Sequence, residues 1–212
     1  MAPTSTEIAR EDLCRFIAAC YYEPTVAFAE ERMFESMVAA ARQLDPALEA
    51  TARRLGEAFA AQELQTLLID YTRLFLGPVH PLAQPYASFW LTGEKTLMQD
   101  TTVALLDLYA EGGFDIDEAF QDLPDHVAAE LEFLYLLNHR LHRSHGDSSD
   151  RAADRARIAS VRQRFVAGHL GNWLAAFAQA VQQGAETPFY RELGALTQAF
   201  MVIEVGQSAG AC

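Results

Sequence analysis

The chain has 212 residues, is half hydrophobic, and carries 16 Lys and Arg against 29 Asp and Glu, for a formal charge of -13. That charge argues against nucleic acid as a partner, because binding to phosphates draws on Lys and Arg replacing counterions. No stretch of about 20 apolar residues free of charge occurs, so no membrane span is expected. The opening MAPTSTEIAREDL lacks the basic start and apolar stretch of a signal peptide, which makes the cytoplasm the expected location.

Ala, Leu, Glu, Gln and Arg recur throughout, and nowhere do apolar and polar residues alternate over a strand's length. The expected fold is therefore all-α, a single globular domain of about eight to ten helices. A first helix is predicted from Thr4–Thr6, capped by Ser5 or Thr6, to Tyr22 before Pro24, with Ile8, Leu13, Phe16, Ile17 and Cys20 as its core stripe. A second is predicted from Ala27 to Leu44, with Phe28, Met33, Phe34, Met37 and Val38 inside. Asp45-Pro46 restarts a third toward Ala61, and Gln62 to Phe75 makes a fourth that Gly77-Pro78 stops.

The segment GPVHPLAQPYASFWLTG, within residues 76–93, holds three prolines and two glycines, so it is an irregular loop. Its rings Tyr86, Phe89 and Trp90 predict that it is ordered on the surface. Helices resume at Glu94–Gly112 and Pro124–Arg143, the latter with Val127, Leu131, Leu134, Leu137, Asn138 and Leu141 on one stripe. The polar SHGDSSD, 144–150, is expected to connect a larger amino-terminal part, 1–143, to a carboxy-terminal helical hairpin, 151–212, that packs on it. Within that hairpin the predicted spans are Asp150–Ala167, Leu170–Gln183 and Pro188–Val205, with Thr187 as a cap and GQSAGAC as a fraying tail.

Three cysteines, Cys14, Cys20 and Cys212, are too few and too badly spaced for a disulfide framework or a zinc site, and are read as reduced thiols. His139, His142 and His145 recur every three residues, but the interleaved Arg140 and Arg143 would repel a cation, so a surface histidine cluster is expected and no metal. Nucleophile elbows, P-loops and HExxH motifs are absent, which points away from an enzyme and gives no catalytic residue and no cofactor. From Thr96 to His139 there is no Lys or Arg but ten carboxylates: Asp100, Asp107, Glu111, Asp115, Asp117, Glu118, Asp122, Asp125, Glu130 and Glu132. Such a field favours a basic partner.

Four motifs, DYTRLFLGP (Asp70–Pro78), PYASFW (Pro85–Trp90), PDH (Pro124–His126) and TPFYRELG (Thr187–Gly194), occur in the order and spacing of TorD/DmsD-type chaperones. The resemblance covers roughly Leu64 to Phe200. It implies a TorD-like helical fold and a cytoplasmic chaperone that binds the twin-arginine signal peptide, or the apo-form, of a molybdopterin-containing oxidoreductase until its cofactor is inserted. A NarJ-like chaperone of a resident enzyme and a helical scaffold are the alternatives. The resemblance assigns Asp125 and His126 to the peptide-binding region.

A signal peptide needs an apolar groove for its hydrophobic part and carboxylates for its arginines. Leu74, Phe75, Tyr86, Phe89 and Trp90 are the candidates for the groove and Asp125 for the charge, and Pro78, Pro85, Ser88 and His126 complete the candidate peptide-binding set, Gly77 and Pro78 also shaping the loop. Gln84-Pro85 stands where the family usually has two prolines. Pro188, Phe189 and Tyr190 read as core packing at a helix start. A weakly bound guanine nucleotide remains an option without a visible phosphate cradle. The flexible connector raises the option of a domain-swapped dimer beside a monomer.

Overall fold

In the computed structural model Thr4, rather than Ser5 or Thr6, caps the first helix, α1 (Ser5–Cys20). Thr4 Oγ1 accepts from the Glu7 N–H, and the Glu7 carboxylate accepts from the Thr4 N–H at 2.7 Å, which closes a capping box. The structure describes residues 4–77, 80–92, 100–116, 122–143 and 149–209, with 207–209 described by backbone alone. Ten further helices follow: α2 (Ala27–Glu30), α3 (Met33–Leu44), α4 (Pro46–Ala60), α5 (Leu64–Tyr71), α6 (Ala87–Leu91), α7 (Asp100–Gly112), α8 (Val127–Arg143), α9 (Ser149–Gly168), α10 (Leu174–Gly184) and α11 (Pro188–Ala209). Among the described residues no strand forms, and the expected all-α fold stands.

A continuous helix from Ala27 to Leu44 does not form, because Arg32 adopts φ 55 in the left-handed region and separates α2 from α3. On one helix Phe28 and Phe34, six residues apart, would point about 120 degrees away from each other. The break turns Phe28 back to meet Phe34 and Phe59 at ring separations of 6.4 and 5.9 Å. That aromatic packing offsets the roughly 1–2 kcal/mol cost of a left-handed non-glycine residue. Ile8, expected in the core, is 46% exposed, whereas Ala9, Arg10 and Glu11 are buried on the same turn.

α1 lies centrally and packs on α3, α8 and α11, while α4 packs on α3 and α11, and α9 on α8, α7 and α11. One apolar core runs through all of them and holds Trp173, Tyr21, Phe133 and Phe177 fully buried. The last sixty residues contribute α9, α10 and α11, joined between the first two by a 3-10 turn, Leu170–Asn172. Cys14 and Cys20 are buried free thiols whose ionisation burial pushes well up; Cys212 lies outside the described residues.

The fourth predicted helix changes pitch near its end. After α5, residues Thr72–Leu76 form a π-helical turn closed by Gly77 N–H donating to the Thr72 carbonyl, five residues back, at 2.6 Å. Gly77 has φ 52, and a Cβ there would lie 2.6 Å from the Pro81 nitrogen. The wider turn leaves the Arg73 and Leu74 carbonyls to accept the Leu82 and Ala83 N–H groups, at 3.3 and 2.8 Å, and so straps the proline-rich loop along the helix end.

Just before the π turn, Asp70 is buried and receives the Glu186 N–H, the Thr187 N–H at 2.7 Å and the Thr187 hydroxyl at 2.8 Å, while Arg73 donates to it at 2.9 Å. A carboxylate from α5 thus caps the approach to α11. Replacing Asp70 by Ala would strand these donors in a buried turn, at a cost of about 3 kcal/mol. Urea unfolding is expected to show that loss for Asp70→Ala as a lower midpoint with an unchanged slope, and roughly half of it for Asp70→Asn. An unchanged midpoint in Asp70→Ala would refute this role.

Candidate functional site

The proline-rich strap crosses the start of α8 at one place. Tyr86 and His126 pair as an isolated antiparallel bridge: Ala87 N–H donates to the Asp125 carbonyl at 3.0 Å and Val127 N–H to the Pro85 carbonyl at 2.8 Å. α8 begins at Val127 rather than at Pro124, so Asp125 and His126 occupy the turn ahead of the helix. His126 acts as its cap, its Nδ1 accepting from the Ala128 N–H at 3.2 Å. An accepting Nδ1 leaves the proton of the neutral ring on Nε2.

Asp125 is 1% exposed and His126 4%. The Asp125 Oδ2 accepts from the Ser88 N–H at 2.9 Å and thereby caps the five-residue α6, while its Oδ1 has no hydrogen-bond partner among the described residues. His126 lies between two tyrosines, with ring separations of 6.2 Å to Tyr22, nearly parallel, and 5.6 Å to Tyr86, edge on. Burial lowers the His126 pKa against the pull of Asp122 and Asp125, so the ring is held neutral.

Four of the expected site residues meet here: Tyr86, Ser88, Asp125 and His126, with Pro85 supplying a bridging carbonyl. Trp90 is half-buried, with its indole N–H on the Gln84 carbonyl at 2.8 Å, and Phe89 meets it edge on at 5.4 Å. Leu74 and Phe75 are core residues; Phe75 packs on Tyr21, Phe177 and Tyr190. They underlie the strap and, being buried, line no open groove. Ser88 and Asp125 are likewise closed off from solvent. Pro78 lies outside the described residues.

The chain and its fold are similar to known proteins. The family model described as nitrate reductase delta subunit matches residues 41–179. The chain is 28% identical over 177 residues to the chaperone protein TorD of Vibrio parahaemolyticus, covering 82% of this chain and 80% of that one. It is 28% identical over 140 residues to the Tat proofreading chaperone DmsD of Salmonella typhi, covering 66% and 61%.

The chain belongs to the TorD/NarJ family of molybdoenzyme maturation chaperones. A crystal structure of a protein assigned to redox enzyme maturation in Archaeoglobus fulgidus shares its fold, with a TM-score of 0.53 at 19% identity over 92% of each chain. The four TorD/DmsD motifs acquire physical sense in this fold. DYTRLFLGP and TPFYRELG meet through Asp70 and Thr187, and PYASFW and PDH meet through the Tyr86–His126 bridge and the Asp125–Ser88 bond.

Sequence reasoning missed the neighbours of this site. Tyr22 donates to Glu132 at 2.9 Å and Tyr86 to Asp122 at 2.7 Å, yet the pairs are 110 and 36 residues apart. The acidic run itself was the available signal. The histidine cluster is also corrected: His142 is buried and His139 partly so, and their Nδ1 atoms face the Glu11 carboxylate of α1 at 2.5 and 2.9 Å. His145 lies outside the described residues. A separate cleft of about 510 Å³ between α2, α3 and α4, floored by Phe28, Phe34 and Phe59, includes none of the expected site residues.

Deeper in α8, buried Glu130 accepts from His169 at 2.8 Å and from the Trp173 indole at 3.0 Å. Burial raises the Glu130 pKa above 4.5. For His169 burial opposes the charged ring, but the charge and hydrogen bond of Glu130 outweigh it and raise the pKa above 6.5. A raised folded pKa means that this stabilisation is full below 6.5 and is lost as pH rises through the folded value; Glu130 acts in the same sense at lower pH. Melting temperature should therefore decline as pH rises above 6.5, and His169→Gln should flatten the decline. Identical pH profiles for the two proteins would exclude the pair as its source.

Proposed function

We propose that this chaperone holds the precursor of a molybdopterin-containing oxidoreductase by its twin-arginine leader, and that the leader docks across the Tyr86–His126 bridge. The observation that carries the reading is the bridge itself. A strap bearing half-buried aromatics is joined there to an acidic turn, in a stretch from Thr96 to His139 without one Lys or Arg. Apolar surface for the leader's hydrophobic part is at hand on the same strap and helix end, where Leu76 and Leu82 are more than half exposed. The Salmonella relative's name, Tat proofreading chaperone, supports a leader as ligand.

A second reading rests on the name of the matching family model. On this reading, the NarJ-like alternative, the client is a resident enzyme and the same surface binds a segment of that enzyme rather than a leader. Binding of the folded or apo client rather than its leader separates the two. No helix among the described residues is long and apolar enough to cross a membrane.

Calorimetric titration with leader peptides of molybdoenzymes encoded beside this gene tests the proposal. Micromolar or tighter binding is expected, weakened at least about tenfold when Arg-Arg becomes Ala-Ala, the loss of one to two charge-assisted contacts. Equal affinity for both peptides would remove leader recognition and favour the second reading. The exchange of the carboxy-terminal hairpin, 151–212, between protomers across the 144–150 connector is a further proposal; sizing with light scattering at high concentration should then reveal a dimer, and a monomer throughout would dismiss it.

A further inference from the structure

The carboxylate that the resemblance singles out is closed off. Asp125 spends one oxygen on the Ser88 N–H, is 1% exposed, and holds α6 in place. The carboxylates that a ligand can reach are the two gripped by tyrosines. Asp122, 38% exposed at its side chain, precedes the turn, and half-buried Glu132 lies in the second turn of α8.

We infer that Asp122 and Glu132, with the Tyr22 and Tyr86 rings that hold them, form the seat for a guanidinium group of the incoming segment. The inference rests on the proposed leader reading and assigns its arginine contacts to residues other than Asp125. Tyr22 and Tyr86 flank the same imidazole, and their hydroxyls fix one oxygen of Glu132 and one of Asp122. Glu132 has no other hydrogen bond among the described residues, and Asp122 Oδ2 stands 3.9 Å from His126 Nε2, beyond hydrogen-bond reach.

Among the described residues no Lys or Arg forms an ion pair with Asp122 or Glu132. His126 is held neutral, and burial raises Glu132, which only the Tyr22 hydroxyl opposes. Beneath the bridge the buried Asp125 Oδ1 lacks a donor, and its charge is felt at both Tyr86 and His126. Two fixed carboxylate acceptors beside two phenol rings suit a flat cation with five donors arranged as a fork, which stacks on aromatic faces. A lysine ammonium offers neither the plane nor the fork.

The test uses the full chain and three fluorescein-labelled synthetic 20-residue peptides. Each has two adjacent residues, arginine, lysine or the neutral isostere citrulline, ahead of an identical Leu-Ala stretch. Wild type should bind the arginine peptide at least about tenfold more tightly than the lysine peptide, and the citrulline peptide weakest of all. Asp122→Asn and Glu132→Gln should each weaken arginine binding about tenfold and flatten its salt dependence, while leaving the citrulline peptide unchanged.

Tyr22→Phe and Tyr86→Phe, which keep the rings but release the carboxylates, should produce smaller losses in the same peptide. Circular dichroism melts confirm that each variant is folded. Wild-type affinity for the arginine peptide in both carboxamide variants overturns this seat while leaving leader recognition standing. Failure of wild type to distinguish arginine from citrulline overturns both.

Discussion

Asp70 sets the geometry on which the site depends. Its carboxylate is buried among the N–H groups of Glu186 and Thr187, and a carboxylate in that setting must be saturated with donors. Those donors fix the turn before Pro188, so Phe189 and Tyr190 enter the core against Phe59 and Phe75. Arg73, paired to the same carboxylate and to Glu186, is thereby held on the π turn. The π turn in turn exposes two carbonyls, the strap binds to them, and the strap delivers Tyr86 to the bridge. A single polar contact between residues more than 110 positions apart thus positions a loop that itself has almost no regular structure.

On the proposed reading, the bridge divides two tasks that one acidic residue cannot perform together. A carboxylate buried enough to cap a short helix is unavailable to a ligand, and one exposed enough to meet a ligand is too screened to order a loop. Asp125 does the first. Asp122 and Glu132, tethered by phenols at the boundary of the core, retain access yet sit where the dielectric is reduced. His126, neutral between the rings, separates the buried acid from the outer ones without adding charge.

Most helices were legible because their signals are local: the Asp45-Pro46 cap, the Gly77 stop and the stripe of α8 each reside within a few residues. The break at Arg32 was not, since neither Gly nor Asn marks it and its cause is the packing of Phe28 on a ring 31 residues later. The π turn was equally silent, because its advantage is collected by Leu82 and Ala83 rather than within the helix. The family motifs drew attention to Asp125 and His126, which the fold brings together with Tyr86 and Ser88, but burial is a property of the assembled chain. A periodicity argument could not reveal that the carboxylate faces Ser88, nor that His139 and His142 turn toward Glu11.

On the reading proposed above, the strap gives this surface a way to receive a peptide while the core stays closed. Four backbone hydrogen bonds, the Asp125 cap on α6 and the Trp90–Gln84 bond hold it, whereas Trp173, Phe133 and Phe177 beneath are fully enclosed. Segments held by a handful of polar contacts open at far lower free energy than the core beneath them. Local opening here would release Ser88, Asp125 and the half-buried rings without unfolding α8 or α11. A peptide that brought its own donors to Asp122 and Glu132 would replace the charge balance that the closed strap lacks, so binding and ordering of the strap would reinforce each other.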